Sequence, residues 1–243
     1  MAELYDSIGH GYRNLRRPDP RIAVPIRRAL GDAASVVNVG AGAGSYEPTD
    51  RRVIAVEPSL TMIRQRPRGA APVVQASGTD LPFRDEAFDA SLAILTIHHW
   101  PDRAKGLREL LRTARRHVVL LTWDPSYGGF WLTDYFPEML EIDRKILPSV
   151  EELGRALGRI SVTNVPIPHD CSDGFLGAYW RRPSAYLDPR VRSAISTFSK
   201  LTDVETGLVR LGDDLQSGEW RRRYGNLLRR SSLDLGYRLV VSG

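Results

Sequence analysis

Two groups of residues combine types and spacing that can do chemistry. The first is Gly40, Ala41, Gly42, Ala43 and Gly44, set between the β-branched runs Val36–Val39 and Val53–Val56, the second of which leads to Glu57. Glycines let a chain turn sharply and let a ligand lie against bare backbone. A carboxylate at the tip of the next strand is placed to accept hydrogen bonds from both hydroxyls of a ribose. The pair therefore reads as a nucleoside site. A dinucleotide frame, G-x-G-x-x-G, would need a third glycine where Ser45 stands, which rules that frame out. The second group is histidine: His98 and His99 after an apolar run, and His169 beside Asp170. An imidazole, with an ordinary pKa of about 6.5, suits proton transfer near neutral pH.

These groups can meet only at the carboxyl ends of neighbouring strands, and the hydrophobic pattern supplies such strands. It predicts a helix over Pro20–Leu30 with Ile22 and Ile26 on one face. It then predicts a strand, the glycine turn, a helix and a second strand through residue 57, followed by a short helix over Leu60–Gln65. Further strands are expected at Pro72–Gln75, Ser91–Leu95 and His117–Trp123, with an amphipathic helix over Leu107–Arg115. A last helix is expected at Val150–Leu157 and strands at Ile160–Ile167 and Tyr237–Val241. Helices alternating with strands argue a doubly wound α/β sheet with ligands outside its carboxyl ends. Two stretches, Asp124–Pro148 and His169–Gly236, exceed ordinary loops and are rich in aromatics, among them Phe130, Trp131, Phe175 and Trp180. They read either as a lid over a substrate pocket or as that lid's own core.

A chain of 243 residues, 42% hydrophobic and 26% charged, can bury one good core. No apolar run approaches the ~18 residues of a membrane span, and a soluble cytoplasmic protein is expected. A single cysteine, Cys171, excludes an internal disulfide and a cysteine-rich zinc site, and no metal is expected. The net charge of +5 raises the question of nucleic acid, but the arginines are scattered in short clusters rather than gathered in a stripe.

The glycine turn, Glu57, the segment Ala76-Ser77-Gly78-Thr79-Asp80-Leu81-Pro82-Phe83 with Phe88-Asp89, and His98-His99-Trp100 stand in a telling order. That order resembles the class I S-adenosylmethionine (SAM)-dependent methyltransferases of small-molecule type. It is most like the ubiquinone/menaquinone methyltransferase-like, methyltransferase type 11 group. The resemblance covers about residues 36–123. It implies a Rossmann-like seven-stranded sheet with helices on both faces, an antiparallel last strand and a lid formed by insertions after strands 5 and 6. By the same resemblance, SAM would be held by Asn38, Gly40, Ala41, Gly42, Glu57, Pro58, Ser77, Gly78, Thr79 and Ala93. Tyr12 and Arg17 would close over its carboxylate, and the product would be S-adenosylhomocysteine. Asn38 and Ser77 replace acids usual in the family, which implies looser cofactor binding.

The implied organisation is a covering segment over residues 1–31, a core over 32–168, a lid over 169–236 and a last core strand over 237–243. The implied activity is methyl transfer to an O, N or C atom of a small molecule, with His98, His99 or His169 as candidate bases. RNA or protein as substrate, or a SAM-binding module without catalysis, are the alternatives. The oligomeric state is left open.

Overall fold

A computed structural model describes residues 15–243; Tyr12 lies outside the described residues. Among the described residues nine strands follow one another: β1 Ser35–Val39, β2 Arg52–Val56, β3 Val73–Val74, β4 Phe88–Ile94, β5 Ala114–Trp123, β6 Ile160–Asn164, β7 Ile167–Pro168, β8 Ser232–Leu233 and β9 Tyr237–Ser242. Seven of them form one sheet in the order β3-β2-β1-β4-β5-β9-β6. Strands β1 to β5 are parallel, and β9 runs antiparallel between β5 and β6. The seven-stranded Rossmann-like sheet with an antiparallel last strand is therefore present. The helices among the described residues are α1 Pro20–Ala29, α2 Leu60–Arg64, α3 Arg103–Thr113, α4 Glu138–Ile146, α5 Val150–Leu157, α6 Pro189–Ser193, α7 Glu205–Ser217 and α8 Glu219–Tyr224.

Every residue of β1 is buried, as a central parallel strand covered on both faces requires. Alternation then sorts its side chains. Val36, with Leu92 and Val119, packs toward Ile22 and Ile26 of α1. Val37 and Val39, with Val118 and Leu120, pack toward Leu110 of α3 and Leu153 of α5. Each of these aliphatic side chains contributes about 1.5–3 kcal/mol by leaving water. The helix starts are fixed by short polar caps: the Asp19 carboxylate accepts from the Arg21 N–H with Pro20 at the first position, and Ser149 and Glu152 form a reciprocal capping box on α5.

Two expectations fail locally. No helix forms between β1 and β2; the connection is a chain of turns. Gly40, Gly42, Gly44 and Tyr46 all have positive φ there, at 70°, 53°, 93° and 60°, and a right-handed helix cannot accommodate them. The strand expected over Ile160–Ile167 also breaks. β6 ends at Asn164, Val165 still donates its N–H to the Tyr237 carbonyl at 2.9 Å, and Pro166 has no N–H to continue the ladder. The chain leaves the sheet there, and β7 pairs instead with β8 in a separate two-stranded ribbon.

The two insertions share one hydrophobic cluster with α1 and its face of the sheet. Most of their aromatics pack on each other: Trp131 meets Tyr135, Tyr186 and Trp220 edge-on, and Phe136 meets Phe198. The indole N–H of buried Trp131 donates to the Trp180 carbonyl at 2.7 Å, so its polar end is satisfied. No helix among the described residues is long and apolar enough to cross a membrane.

Candidate active site at the carboxyl ends of the strands

The turn after β1 is bare by necessity. A Cβ on Gly40 would stand 2.1 Å from Thr96 Oγ1, at the end of the neighbouring β4. No side chain larger than hydrogen fits at that position. The Gly42 N–H donates to Glu57 Oε2 at 2.8 Å and the Ser59 N–H to Glu57 Oε1 at 3.0 Å, which fixes the carboxylate plane. Glu57 is 5% exposed and, with Asn38, Gly40, Ala41 and Gly42, lines a cleft of about 600 Å³. A carboxylate has about four acceptor positions, and these two amides set the plane in which the others lie. Bare backbone beside a buried strand-end carboxylate fits a nucleoside cofactor carrying an amino-acid tail.

Asn38 does not act alone. Its Nδ2 donates to Glu47 Oε1 at 3.3 Å, and Glu47 holds Arg66 Nη2 in a buried ion pair at 2.7 Å. An acid usual at position 38 is thus replaced by an amide leaning on a carboxylate nine residues further on.

The remaining sequence candidates divide. Pro58, Ser77, Gly78, Thr79 and Ala93 are not among the described residues lining the cleft. Ala93 is fully buried within the sheet. The Ser77 hydroxyl is engaged with Thr79, accepting from its N–H at 3.2 Å and lying 2.8 Å from its Oγ1. Gly78 has a packing reason to be glycine, since a Cβ would come within 2.9 Å of the Trp100 ring. Arg17 is exposed, and its neighbour Arg16 lines the cleft instead. Arg16 Nε donates to Asp173 Oδ1 at 2.5 Å, and the Tyr46 hydroxyl donates to Asp173 Oδ2 at 2.9 Å. Asp173 is wholly buried, so this carboxylate ties the segment before α1, the glycine turn and the second insertion together.

A second cavity of about 850 Å³, open mouth included, adjoins the first. The two share Arg16, Leu95 and His99. Leu95 follows β4 with φ of 51°, a conformation that costs a non-glycine residue about 1–2 kcal/mol, at the place where the cavities join. His98 lines the second cavity and His99 lines both, their rings 3.9 Å apart. Burial pushes His98 down to about 3, with nearby Lys200 and Arg16 adding to the effect, and drives His99 well below its ordinary value. Both are neutral imidazoles at physiological pH, and His98 Nδ1 is buried without a partner among the described residues.

His169 is not brought to this place. Its ring faces the Ser231 carbonyl on the surface, and Asp170 pairs with Arg21. Burial pushes the Cys171 thiol up to about 12, which keeps it protonated.

The structure adds a group that the sequence reading passed over. Asp143, on α4, is 7% exposed and lines the second cavity among Leu95, Phe130, Met139 and Phe175. No described residue hydrogen-bonds or ion-pairs with its carboxyl. Burial raises it to about 7, against a smaller opposing pull from Lys200.

The comparisons agree on one relationship. The model of a methyltransferase domain matches residues 37–122. The crystal structure of a candidate methyltransferase from an antibiotic biosynthesis pathway of Anabaena variabilis superposes with TM-score 0.85 at 34% identity, covering 94% of this chain and 99% of that one. The chloroplastic 2-methyl-6-phytyl-1,4-hydroquinone methyltransferase 2 of Oryza sativa subsp. japonica is 29% identical over 57% of this chain and 42% of its own length. A demethylmenaquinone methyltransferase of Corynebacterium kroppenstedtii is 31% identical over 33% of this chain and 37% of its own. The aligned stretches thus span less than half the length of these curated relatives.

Proposed function

Because the chain belongs to the class I SAM-dependent methyltransferases, we propose that it methylates an O, N or C atom of a small molecule held in the second cavity. The observation that carries this reading is the junction: a backbone-walled cleft with a carboxylate for a ribose opens, at Arg16, Leu95 and His99, onto a larger cavity with apolar walls. The bound cofactor supplies a methyl group on a sulfonium, whose charge is lost as the methyl moves. What the protein contributes is placement and exclusion of water. Glu57 would orient the ribose, the Gly40–Gly42 backbone would flank the amino-acid tail, and Arg16 rather than Arg17 is the arginine set to meet its carboxylate. The two insertions, with Phe130 and Phe175 in the wall, form the lid that screens the acceptor.

The curated relatives are named for hydroquinone and menaquinone substrates, and an aromatic acceptor suits these walls. Nucleic acid is disfavoured because so many arginines answer neighbouring acids: Arg21 with Asp19, Arg115 with Asp89, Arg116 with Asp32 and Arg222 with Glu219. The cytoplasm is the compartment this reading assigns.

Calorimetric titration with SAM and S-adenosylhomocysteine tests it. Glu57→Ala should weaken both by about 1–3 kcal/mol, the worth of a buried charged acceptor. Absence of heat with the wild type at millimolar ligand would reject the reading.

A further inference from the structure

Resting on that reading, we propose that Asp143 is the catalytic proton acceptor and that the acceptor substrate is a hydroxylated aromatic. Three independent observations lead there. First, Asp143 is the sole carboxyl group among the described residues lining the second cavity, and it has no hydrogen-bond partner among them. Its oxygens open onto the cavity rather than being sealed in the fold, so a ligand entering there meets a carboxyl group that no described side chain competes for. A carboxylate accepts, and the missing partner is therefore a donor.

Second, His98 lines the same cavity, and its buried Nδ1 has no partner among the described residues. A neutral imidazole and a carboxyl group among apolar side chains match an apolar ring carrying hydroxyl groups.

Third, the surrounding charge selects a hydroxyl over an ammonium donor. The groups facing Asp143 are Lys200 from the turn Phe198–Lys200, Tyr237 of β9, His98 and His99 from the turn Ile97–His99, and Arg16. The histidines are neutral, Tyr237 is held in its protonated form by burial, and Arg16 is answered by Asp173. Lys200 has no carboxylate within ion-pair distance among the described residues; burial lowers its pKa, while the attraction of Asp143 favours its positive form. A bound sulfonium adds a positive charge. That field opposes a cationic ligand and favours oxygen that becomes negative. With its carboxyl raised to about 7, Asp143 is poised to take a proton near neutral pH.

In the step itself the substrate O–H bond breaks, and a new O–H bond forms on a carboxylate oxygen of Asp143. The deprotonated oxygen, or the ring carbon it activates, takes up the methyl carbon. The electron pair of the broken carbon–sulfur bond stays on sulfur, and for a carbon acceptor the ring proton leaves to solvent. Asp143 returns its proton to solvent after product release.

The test uses the full chain saturated with S-adenosylhomocysteine, calorimetry, and three probes. These are 2-naphthol, its methyl ether 2-methoxynaphthalene, and 2-(aminomethyl)naphthalene. As pH rises through about 7, 2-naphthol should bind the wild type about tenfold more tightly or better, the worth of a hydrogen bond to a charged group. The methyl ether should not gain. Asp143→Asn should abolish the difference while S-adenosylhomocysteine still binds, which reports that the variant is folded. No binding of 2-naphthol, equal pH profiles for naphthol and ether, or an unchanged profile in Asp143→Asn would each overturn the proposal. Tighter binding of the amine than of the naphthol would overturn it in favour of a cation clamp. Failure of S-adenosylhomocysteine to bind the wild type would instead strike at the methyltransferase reading.

Discussion

Asp143→Asn should make the ligand-free protein more stable, by an amount that grows with pH. In the unfolded chain the carboxyl titrates near 3.8, and in the folded protein burial raises it to about 7. Below the lower value both states are protonated and nothing is lost. Between the two, the unfolded chain releases a proton that the native state keeps, so native stability falls as pH rises and levels off above the folded value. At 1.36 kcal/mol per pKa unit the whole shift amounts to about 4 kcal/mol, and the part that falls between about pH 5 and pH 8.5 to about 3 kcal/mol. Asparagine has nearly the same shape and no charge to lose. The variant should match the wild type within about 1 kcal/mol at low pH and exceed it by about 3 kcal/mol more at high pH. For a chain of this size that is roughly 6–12 °C in melting temperature. Urea titrations of both proteins at the two pH values measure it. Taking the difference between proteins removes the contribution of His98. A stability difference that stays flat across that range would show that the carboxyl is solvated or paired, and the reasoning would be wrong.

Other expectations are as direct. The depressed pKa of His98 stabilises the fold above the unfolded value of 6.5, and that contribution, at most ~5 kcal/mol, is lost as pH falls toward about 3. His98→Leu should flatten the acid side of the stability curve, and an unaltered curve would refute the assignment. Gly40→Ala combines a φ of 70° with a Cβ 2.1 Å from Thr96 Oγ1. It should cost at least ~1–2 kcal/mol and remove S-adenosylhomocysteine binding, with wild-type affinity as the contrary result. Arg16→Met leaves the buried Asp173 carboxylate without its cation and should destabilise by about 3–5 kcal/mol, whereas Arg16→Met with Asp173→Leu should recover much of that. A double variant no better than the single one would argue against the pair.

The parts of the site legible in the sequence are those set by local chemistry. Gly40, Gly42 and Glu57 declare a bare turn and a strand-end acid, and the turn's backbone and the strand register decide where they go. That Arg16 rather than Arg17 lines the cleft has a non-local cause, for the arginine that turns inward is held by Asp173, which lies 157 residues away. The missing helix after the glycine turn follows from four positive φ angles within seven residues, of which Tyr46 gives no sign in its type. The broken sixth strand was readable at Pro166, but the β-branched residues Val162, Thr163, Val165 and Ile167 on either side masked the stop. Asp143 left a usable trace: it follows Met139 by one helical turn and precedes Leu147 by another, so an acid sits on the apolar stripe of α4.

The position of β9 bears on how the protein is made. β6 reaches the sheet only through β9, and the partner edge of β5 is also β9. A nascent chain that has left the ribosome only as far as residue 236 therefore carries a parallel sheet with one raw edge and an orphaned sixth strand. Until six more residues emerge, both expose unpaired amides and carbonyls to other chains. The pairing of β9 is thus the step that closes the edge of β5 and brings β6 into the sheet.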